Sequence, residues 1–257
     1  MIDTCAKLFS MTHSVEISGR TLTKRYASWP RDEPDREWAA LTVLSRAAPG
    51  LAPTPLELST DPTPWLRMTV VPGEPLGGSL TSAQTAALGD ALSSLWSVPP
   101  EGLAPIDLEA LVDRTRSGLS ALRDMDGVIA EAARTWLDNE PPDLTAVPDP
   151  VVAHGDPNLT NYLWDGERVR IVDFEDAGLG DRTVELANLV EHLSWRATDP
   201  TPLVRRFAVD PERFRAARCL WAGFWLTLIG PGGPSADRNP PGTAEAQAQR
   251  MLRLVAG

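Results

Sequence analysis

The hydrophobic pattern of the chain changes its period once, and this change constrains the fold more than any other feature. In residues 1–72, short runs rich in β-branched residues, such as residues 65–71 (WLRMTVV), indicate strands around a single helix. After the turn-rich residues 71–78 (VPGEPLGG), leucines recur at helical spacing. The pattern predicts an α+β fold of two lobes, with a small β-rich lobe at residues 1–72 and a larger, mainly helical lobe at residues 73–257.

The composition restricts the partners of the chain. Its 257 residues, 42% of them apolar, suffice for a core in one large domain or two lobes. A formal charge of −11 argues against nucleic acid as a partner, because phosphate binding needs a basic surface. The longest apolar run, residues 219–229, is shorter than the roughly 20 residues that span a bilayer, and no signal-peptide pattern is present. We predict a cytoplasmic protein without a membrane partner, and the sequence leaves the oligomeric state open.

Residues 154–176, HGDPNLTNYLWDGERVRIVDFED, concentrate acidic and amide side chains between two short apolar segments. The apolar residues 151–153 predict a strand that ends where this stretch begins. Within it, YLW and VRIVDF predict a hairpin across an Asp-Gly turn. The hairpin is expected to bring Asn161 close to Asp173, which we place at the end of a buried strand.

The types of these side chains indicate a metal and phosphate site. Asp156, Asn161 and Asp173 offer carboxylate and amide oxygens, which suit Mg²⁺ bound jointly with substrate phosphates. Asp156 precedes Asn161 by the spacing of a kinase catalytic loop, in which the Asp orients and deprotonates the attacking hydroxyl. The alternative is an ordinary loop with capping Asp and Asn residues, but so many fixed positions favour the functional interpretation.

At these residues the chain resembles a known family. HGDPNLTN (154–161), IVDFED (171–176) and GDRTVELANL (180–189) resemble the motifs of the aminoglycoside phosphotransferase and choline kinase-like enzymes. The resemblance covers most of the chain, including the order of the two lobes. It implies a bilobal protein-kinase-like fold and an enzyme that uses ATP and Mg²⁺, but it does not specify the acceptor.

The resemblance also implies a role for each residue of the loop. Asp156 would be the catalytic base, and Asn161 and Asp173 would bind Mg²⁺. His154 would brace the loop rather than bind metal, and no second His lies at ligand spacing.

In the small lobe, Lys24 matches the family's strand lysine that contacts the ATP phosphates, and Glu37 matches its partner on the helix. The run from Trp65 resembles the hinge strand that binds adenine through its backbone. The nucleotide pocket would then be lined by Met68, Val70 and Val71. For Met68, ordinary core packing is an equal alternative.

One departure from the family concerns the hairpin that covers the nucleotide. Few residues precede the second strand, and residues 10–13 contain no glycine. The first strand is therefore expected to be short or poorly formed. Ser10 or Thr12 could still donate a hydrogen bond to a phosphate.

The acceptor is predicted from charge. Glu175, Asp176 and Trp195 are the candidate substrate residues, and the acidic face they belong to includes Glu191 and Asp199, with Trp221 nearby. Such a face would attract a cationic acceptor, which favours aminoglycosides or related cationic antibiotics. Simple solvation of the helical lobe is the alternative.

The leading hypothesis is an ATP-dependent phosphotransferase acting on a hydroxyl of a small acceptor. Choline-like amines, amino alcohols and sugars remain alternative acceptors, and a non-catalytic nucleotide-binding relative is a second hypothesis. A protein kinase is disfavoured because the sequence has no arginine after His154, no DFG motif, and no recognisable activation segment after Asp173. A metal-dependent hydrolase would leave Lys24 without a role.

Overall fold

The computed structural model describes residues 6–9, 13–60 and 62–256. The chain forms two compact units, one of Met1–Ile106 with Pro150–Gly180 and one of Asp107–Asp149 with Asp181–Gly257. This division does not follow the predicted boundary between residues 72 and 73. The assignment of a nucleotide lobe and an acceptor lobe to those two ranges stays a prediction.

The first unit contains an antiparallel sheet in the order β1-β2-β3-β5-β4. The strands are β1 (Ala6–Phe9), β2 (His13–Ser18), β3 (Thr21–Tyr26), β4 (Pro55–Ser59) and β5 (Trp65–Thr69). The strand β1 has four residues, so the predicted short first strand is confirmed. The predicted phosphate donors Ser10 and Thr12 lie outside the described residues.

A single helix, α1 (Glu33–Ala47), packs against β4 and β5. It begins at Glu33, and Pro34 is accommodated in the first turn, where its missing N–H is not needed. Leu41 and Leu44 are fully buried on the inner face of the helix. Glu37 lies on the same face, and a buried carboxylate requires partners that compensate for lost hydration.

The remaining elements of this unit surround the predicted catalytic hairpin. They are β6 (Glu74–Pro75), α2 (Ser82–Trp96), β7 (Pro150–Ala153), β8 (Tyr162–Trp164), β9 (Val169–Ile171) and β10 (Gly178–Asp181). The predicted β8–β9 hairpin is confirmed, and Thr81 and Gln84 form a capping box at the start of α2. Asp173 follows β9 by two residues, so its predicted place at the end of a strand is wrong. The strand β10 was not predicted, since glycine has a low strand propensity.

The second unit is helical. Its helices are α3 (Leu108–Leu122), α4 (Val128–Asp138), α5 (Arg182–Glu191), α6 (Thr201–Val204), α7 (Pro211–Ile229) and α8 (Thr243–Ala256). Asp181 caps α5, with its Oδ1 accepting the Val184 N–H at 3.2 Å. Within the described residues, no helix combines the length and apolar character needed to cross a membrane.

A buried carboxylate ties several of these helices together. Glu191, at the end of α5, is 0% exposed. Its Oε1 lies 2.6 Å from Nε of Arg218 on α7, and its Oε2 lies 2.5 Å from Nε of Arg250 on α8. Arg196 donates to the Glu191 carbonyl at 2.6 Å, and burial together with Arg250 lowers the pKa of Arg196 to about 10. One carboxylate is thus the shared counter-ion of three partly exposed guanidinium groups.

This arrangement corrects the predicted acidic face. Glu191 is buried and neutralised by arginines, and the indoles of Trp195 and Trp221 are 1% and 7% exposed. Trp221 donates its Nε1–H to the Val184 carbonyl inside the unit. The prediction of an acidic and aromatic surface is therefore wrong for these three residues, because an amphipathic pattern does not reveal which polar residue is turned inward.

Candidate active site

Lys24 is the centre of a buried charge cluster in the first unit. It lies on β3, is 4% exposed, and donates to Glu37 Oε2 at 2.8 Å and to Glu175 Oε2 at 2.5 Å. A third bond joins its ammonium to Asp173 Oδ1. Burial alone would lower the pKa of Lys24, but the three carboxylates outweigh it and raise this pKa. The three carboxylates therefore favour the charged form of Lys24.

Glu37 connects α1 to two other parts of the site. Its Oε2 accepts the Tyr26 hydroxyl at 2.7 Å as well as the ammonium of Lys24. Its Oε1 accepts the backbone N–H of Phe174 at 3.2 Å. The helix, the strand β3 and the segment after β9 are thus held at one carboxylate.

Asp173 has an unusual backbone conformation. Its φ is 68°, in the left-handed region that residues with a Cβ seldom adopt. Such conformations persist where the surrounding structure enforces them, and they are concentrated at functional sites. Its side chain is 33% exposed, the most accessible of the carboxylates around Lys24. Burial would raise the pKa of Asp173, but the nearby Lys24 more than compensates and lowers it.

The predicted catalytic loop is closed by its own hydrogen bonds. Asp156 accepts the Asn158 N–H on Oδ1 at 3.0 Å and the Asn161 side-chain N–H on Oδ2 at 2.9 Å. The Val172 N–H donates to the Asn161 carbonyl at 2.9 Å, which fixes Asn161 beside the residue preceding Asp173. The structure therefore brings Asp156 and Asn161 into contact and joins the loop to the Asp173 segment.

His154 contacts the segment that contains Asp173. It is buried, and its Nε2 lies 2.8 Å from the Val172 carbonyl oxygen. Its ring packs edge-on against Phe174, with centroids 4.7 Å apart. The imidazole thus contacts backbone and aromatic groups, and its role in bracing the loop stays a prediction.

The family model described as the phosphotransferase enzyme family matches residues 17–221, which is more than half of the chain. The chain belongs to this family. The predicted family and the prediction of a phosphotransferase are confirmed. A comparison with curated proteins gives no match.

Several solved structures have a fold similar to that of this chain. A choline/ethanolamine kinase family protein from Mesorhizobium loti is 22% identical with a TM-score of 0.66, covering 98% of this chain and 87% of that one. ADP-bound aminoglycoside phosphotransferase APH(2'')-Ib is 15% identical with a TM-score of 0.67, covering 98% and 93%. The streptomycin–ATP complex of APH(2'')-IIa is 14% identical with a TM-score of 0.66, covering 98% and 92%. At these identities the similarity establishes the fold, and the predicted kinase-like fold is confirmed.

Gly155 of the phosphotransferase allows close packing under the loop. Its φ is +83°, and a Cβ added there would lie 2.3 Å from the Asp176 carbonyl oxygen. We expect Gly155→Ala to lower the free energy of unfolding by about 2 kcal/mol and to displace Asp156, because both the backbone and the contact are strained. Chemical denaturation measures the first effect. Gly166→Ala is the control, since its φ is also positive but a Cβ would meet no atom within 4 Å; equal losses in the two variants would contradict the packing argument.

Glu175 and Asp176, the candidate substrate residues of the motif, are both engaged by side chains of the first unit, and their substrate role stays a prediction. Glu175 contacts Lys24 and His13 instead of an open acceptor surface. Burial raises the pKa of Glu175 to about 7. Asp176 pairs with Arg31, whose Nη1 lies 2.5 Å from Oδ1, and burial raises the pKa of Asp176 despite this partner.

Of the predicted adenine-binding residues, Met68 lies within β5, and Val70 and Val71 follow the strand. Met68 is buried and lies opposite Leu22 in the sheet, as the core-packing alternative expected. Val70 is exposed, and its backbone N–H donates to the Arg20 carbonyl at 3.0 Å. The sequence motifs did not include His13, whose contact with Glu175 joins parts of the chain too distant in sequence for any local pattern to reveal.

Proposed function

We propose that the protein transfers the γ-phosphoryl group of ATP to a hydroxyl group of a small acceptor, with Mg²⁺ as cofactor. The observation that carries this proposal is the direct contact between Lys24 and Asp173. This contact joins the ammonium group of Lys24, which can bind a phosphate, to the partly exposed carboxylate of Asp173, which can bind a divalent cation. A second candidate, a non-catalytic nucleotide-binding relative, is disfavoured because Asp156 and Asn161 are also present and in contact.

The donor set of the site fits Mg²⁺. Among the described residues, none donates a hydrogen bond to Oδ2 of Asp173 or to Oδ1 of Asn161. Both are hard oxygen atoms of the type that Mg²⁺ prefers together with phosphate oxygens. Asp173 and Asn161 would hold the ion, which when bound would neutralise charge on the phosphates.

The protein's own residues would supply orientation and proton transfer. Lys24 would bind a phosphate oxygen, and Glu37 would hold Lys24 in place. The acceptor hydroxyl oxygen would form a bond to the γ-phosphorus while the bond from that phosphorus to the β–γ bridging oxygen breaks. Asp156 would take the hydroxyl proton, with Asn161 and Asn158 holding its carboxylate by hydrogen bonds.

Adenine binding would use the residues after β5. The Val70 N–H is taken by Arg20, whereas within the described part of the chain the Val71 N–H donates to no acceptor. We therefore assign the backbone contact with adenine to Val71, which follows Met68 and Val70 in the chain. A cytoplasmic location belongs to the proposal, because ATP and Mg²⁺ are supplied there.

The acceptor class is proposed from the similar structures. Their names indicate choline or ethanolamine in one case and streptomycin in another. We propose an aminoglycoside-like antibiotic as the first candidate, which would make the protein a resistance enzyme, and an amino alcohol as the second. The test is an ATP- and GTP-consumption screen over aminoglycosides, amino alcohols and sugars, with mass detection of the phosphorylated product. Absence of product with every acceptor, despite nucleotide binding, would favour the non-catalytic relative.

The metal assignment has its own test. We expect Asp173→Asn to weaken Mg²⁺-dependent binding of a non-hydrolysable ATP analogue by about tenfold or more, because an amide is a poorer ligand for Mg²⁺ than a carboxylate. Calorimetric titrations at several Mg²⁺ concentrations measure this effect. The control is Asp165→Asn, in the turn of the neighbouring hairpin. Unchanged Mg²⁺ dependence of nucleotide binding in Asp173→Asn would show that Asp173 is not a ligand of the metal.

A further inference from the structure

His13 enters the lysine site from a strand that the proposed mechanism does not use. It is the first residue of β2, it is buried, and it lies opposite Tyr26 in the sheet. Its ring packs against the Tyr26 ring, with centroids 5.0 Å apart. Buried polar groups are normally hydrogen-bonded, and each ring nitrogen of His13 has a partner.

Those partners determine the protonation of the ring. The backbone N–H of Ala27 donates to Nδ1 at 3.2 Å, so Nδ1 carries no proton. Nε2 lies 2.9 Å from Oε2 of Glu175 and therefore donates its proton to that carboxylate. Burial lowers the pKa of His13, in agreement with a neutral ring.

Glu175 in turn holds Lys24. The same Oε2 that accepts from His13 accepts from Lys24 at 2.5 Å. Lys24 also donates to Glu37 at 2.8 Å, and Glu37 accepts the Tyr26 hydroxyl at 2.7 Å. Because His13 packs on Tyr26, these contacts close a ring of five side chains, one of which is Lys24 itself.

We propose that His13 is a positioning residue for Lys24. A lysine ammonium has three N–H groups. With Glu175 held by His13, Glu175 and Glu37 fix two of them and direct the third at Asp173. That third N–H is the one available to a nucleotide phosphate once Asp173 binds Mg²⁺. The inference rests on the proposed function, since Lys24 has a phosphate to bind only in a phosphotransferase.

The two nitrogens of His13 can be tested separately. His13→Gln places an amide N–H near the position of Nε2 and loses the acceptor at Nδ1. His13→Asn places an amide oxygen near Nδ1 and loses the donor to Glu175. We expect His13→Asn to lower kcat/KM for MgATP about tenfold and His13→Gln to stay within about threefold of wild type.

A purely structural His13, needed for its bond with Ala27, would give the reverse order. The reverse order of activities, or equal losses of activity, would overturn the inference. Thermal melting of both variants shows whether their stabilities follow a different order from their activities. If the His13 variants do not fold, Glu175→Ala replaces them, and the expected result is the same loss of about tenfold. Wild-type kcat/KM in that variant would overturn the inference.

A binding measurement separates this inference from the proposed reaction. If the wild-type protein binds MgATP but transfers no phosphoryl group, the proposed function fails. The dissociation constants for MgATP must then still follow the order wild type, His13→Gln, His13→Asn, and equal constants would overturn the positioning role. A wild-type protein that does not bind MgATP would overturn both.

Discussion

Replacement of Asp156 by asparagine is expected to lower kcat by about 10² to 10⁴ while the protein stays folded and binds MgATP normally. An amide cannot accept the proton of the acceptor hydroxyl. Asp156 has the geometry for this step, because Asn158 and Asn161 hold its two oxygens at 3.0 and 2.9 Å. The measurement is steady-state kinetics at saturating ATP with the acceptor that the screen identifies.

The matched control for this prediction is Asp126→Asn. Asp126 is exposed in the helical unit, and the same change of charge there should leave kcat unaltered. Near-normal kcat in Asp156→Asn would contradict the assignment of Asp156 as the base. A loss of MgATP binding in that variant would instead indicate that Asp156 supports the nucleotide site.

The largest expected loss of stability follows from Glu191→Gln. This substitution leaves Arg196, Arg218 and Arg250 without their shared counter-ion, and removing one partner of a buried ion pair costs about 3 kcal/mol. We expect a decrease of that size in the free energy of unfolding, measured by denaturant titration. This value is at the low end of the cost of breaking a buried ion pair, about 3 to 5 kcal/mol, because the arginine side chains are partly exposed to water.

Glu245→Gln provides the comparison for this stability effect. Glu245 is exposed on α8 and forms no ion pair with the described residues, so its substitution should change the free energy of unfolding by less than about 0.5 kcal/mol. A loss below about 1 kcal/mol in Glu191→Gln would mean that water replaces the carboxylate at the three guanidinium groups.

Much of the fold could be predicted because local patterns specify it. The change from period two to helical spacing separated the sheet from the helices, and the capping box of Thr81 and Gln84 marked the start of α2. The β8–β9 hairpin followed from its Asp-Gly turn. The strand β10 was missed because glycine has a low strand propensity. The strand needs glycine for tertiary reasons, since a Cβ at Gly178 would meet the Ala104 carbonyl and one at Gly180 would meet Ala153.

In the candidate site too, local contacts could be predicted from the sequence, whereas contacts between distant segments could not. Asp156 and Asn161 are five residues apart in sequence, and their contact follows from the loop itself. The contacts of Glu175 with Lys24 and His13 depend on the packing of distant segments. The burial of Glu191 similarly depends on arginines from other helices, and a sequence pattern shows the charge without showing its partners.

The hydrogen bond from the Phe174 N–H to Glu37 makes one amide a reporter of the whole site. This N–H is bound to a buried side chain instead of a backbone carbonyl, so it exchanges with solvent only when α1 and the Asp173 segment separate. Its deuterium uptake therefore measures the opening free energy of the site in the absence of any acceptor. Slower uptake on addition of MgATP would show that nucleotide binding and closure of the helix α1 are thermodynamically coupled.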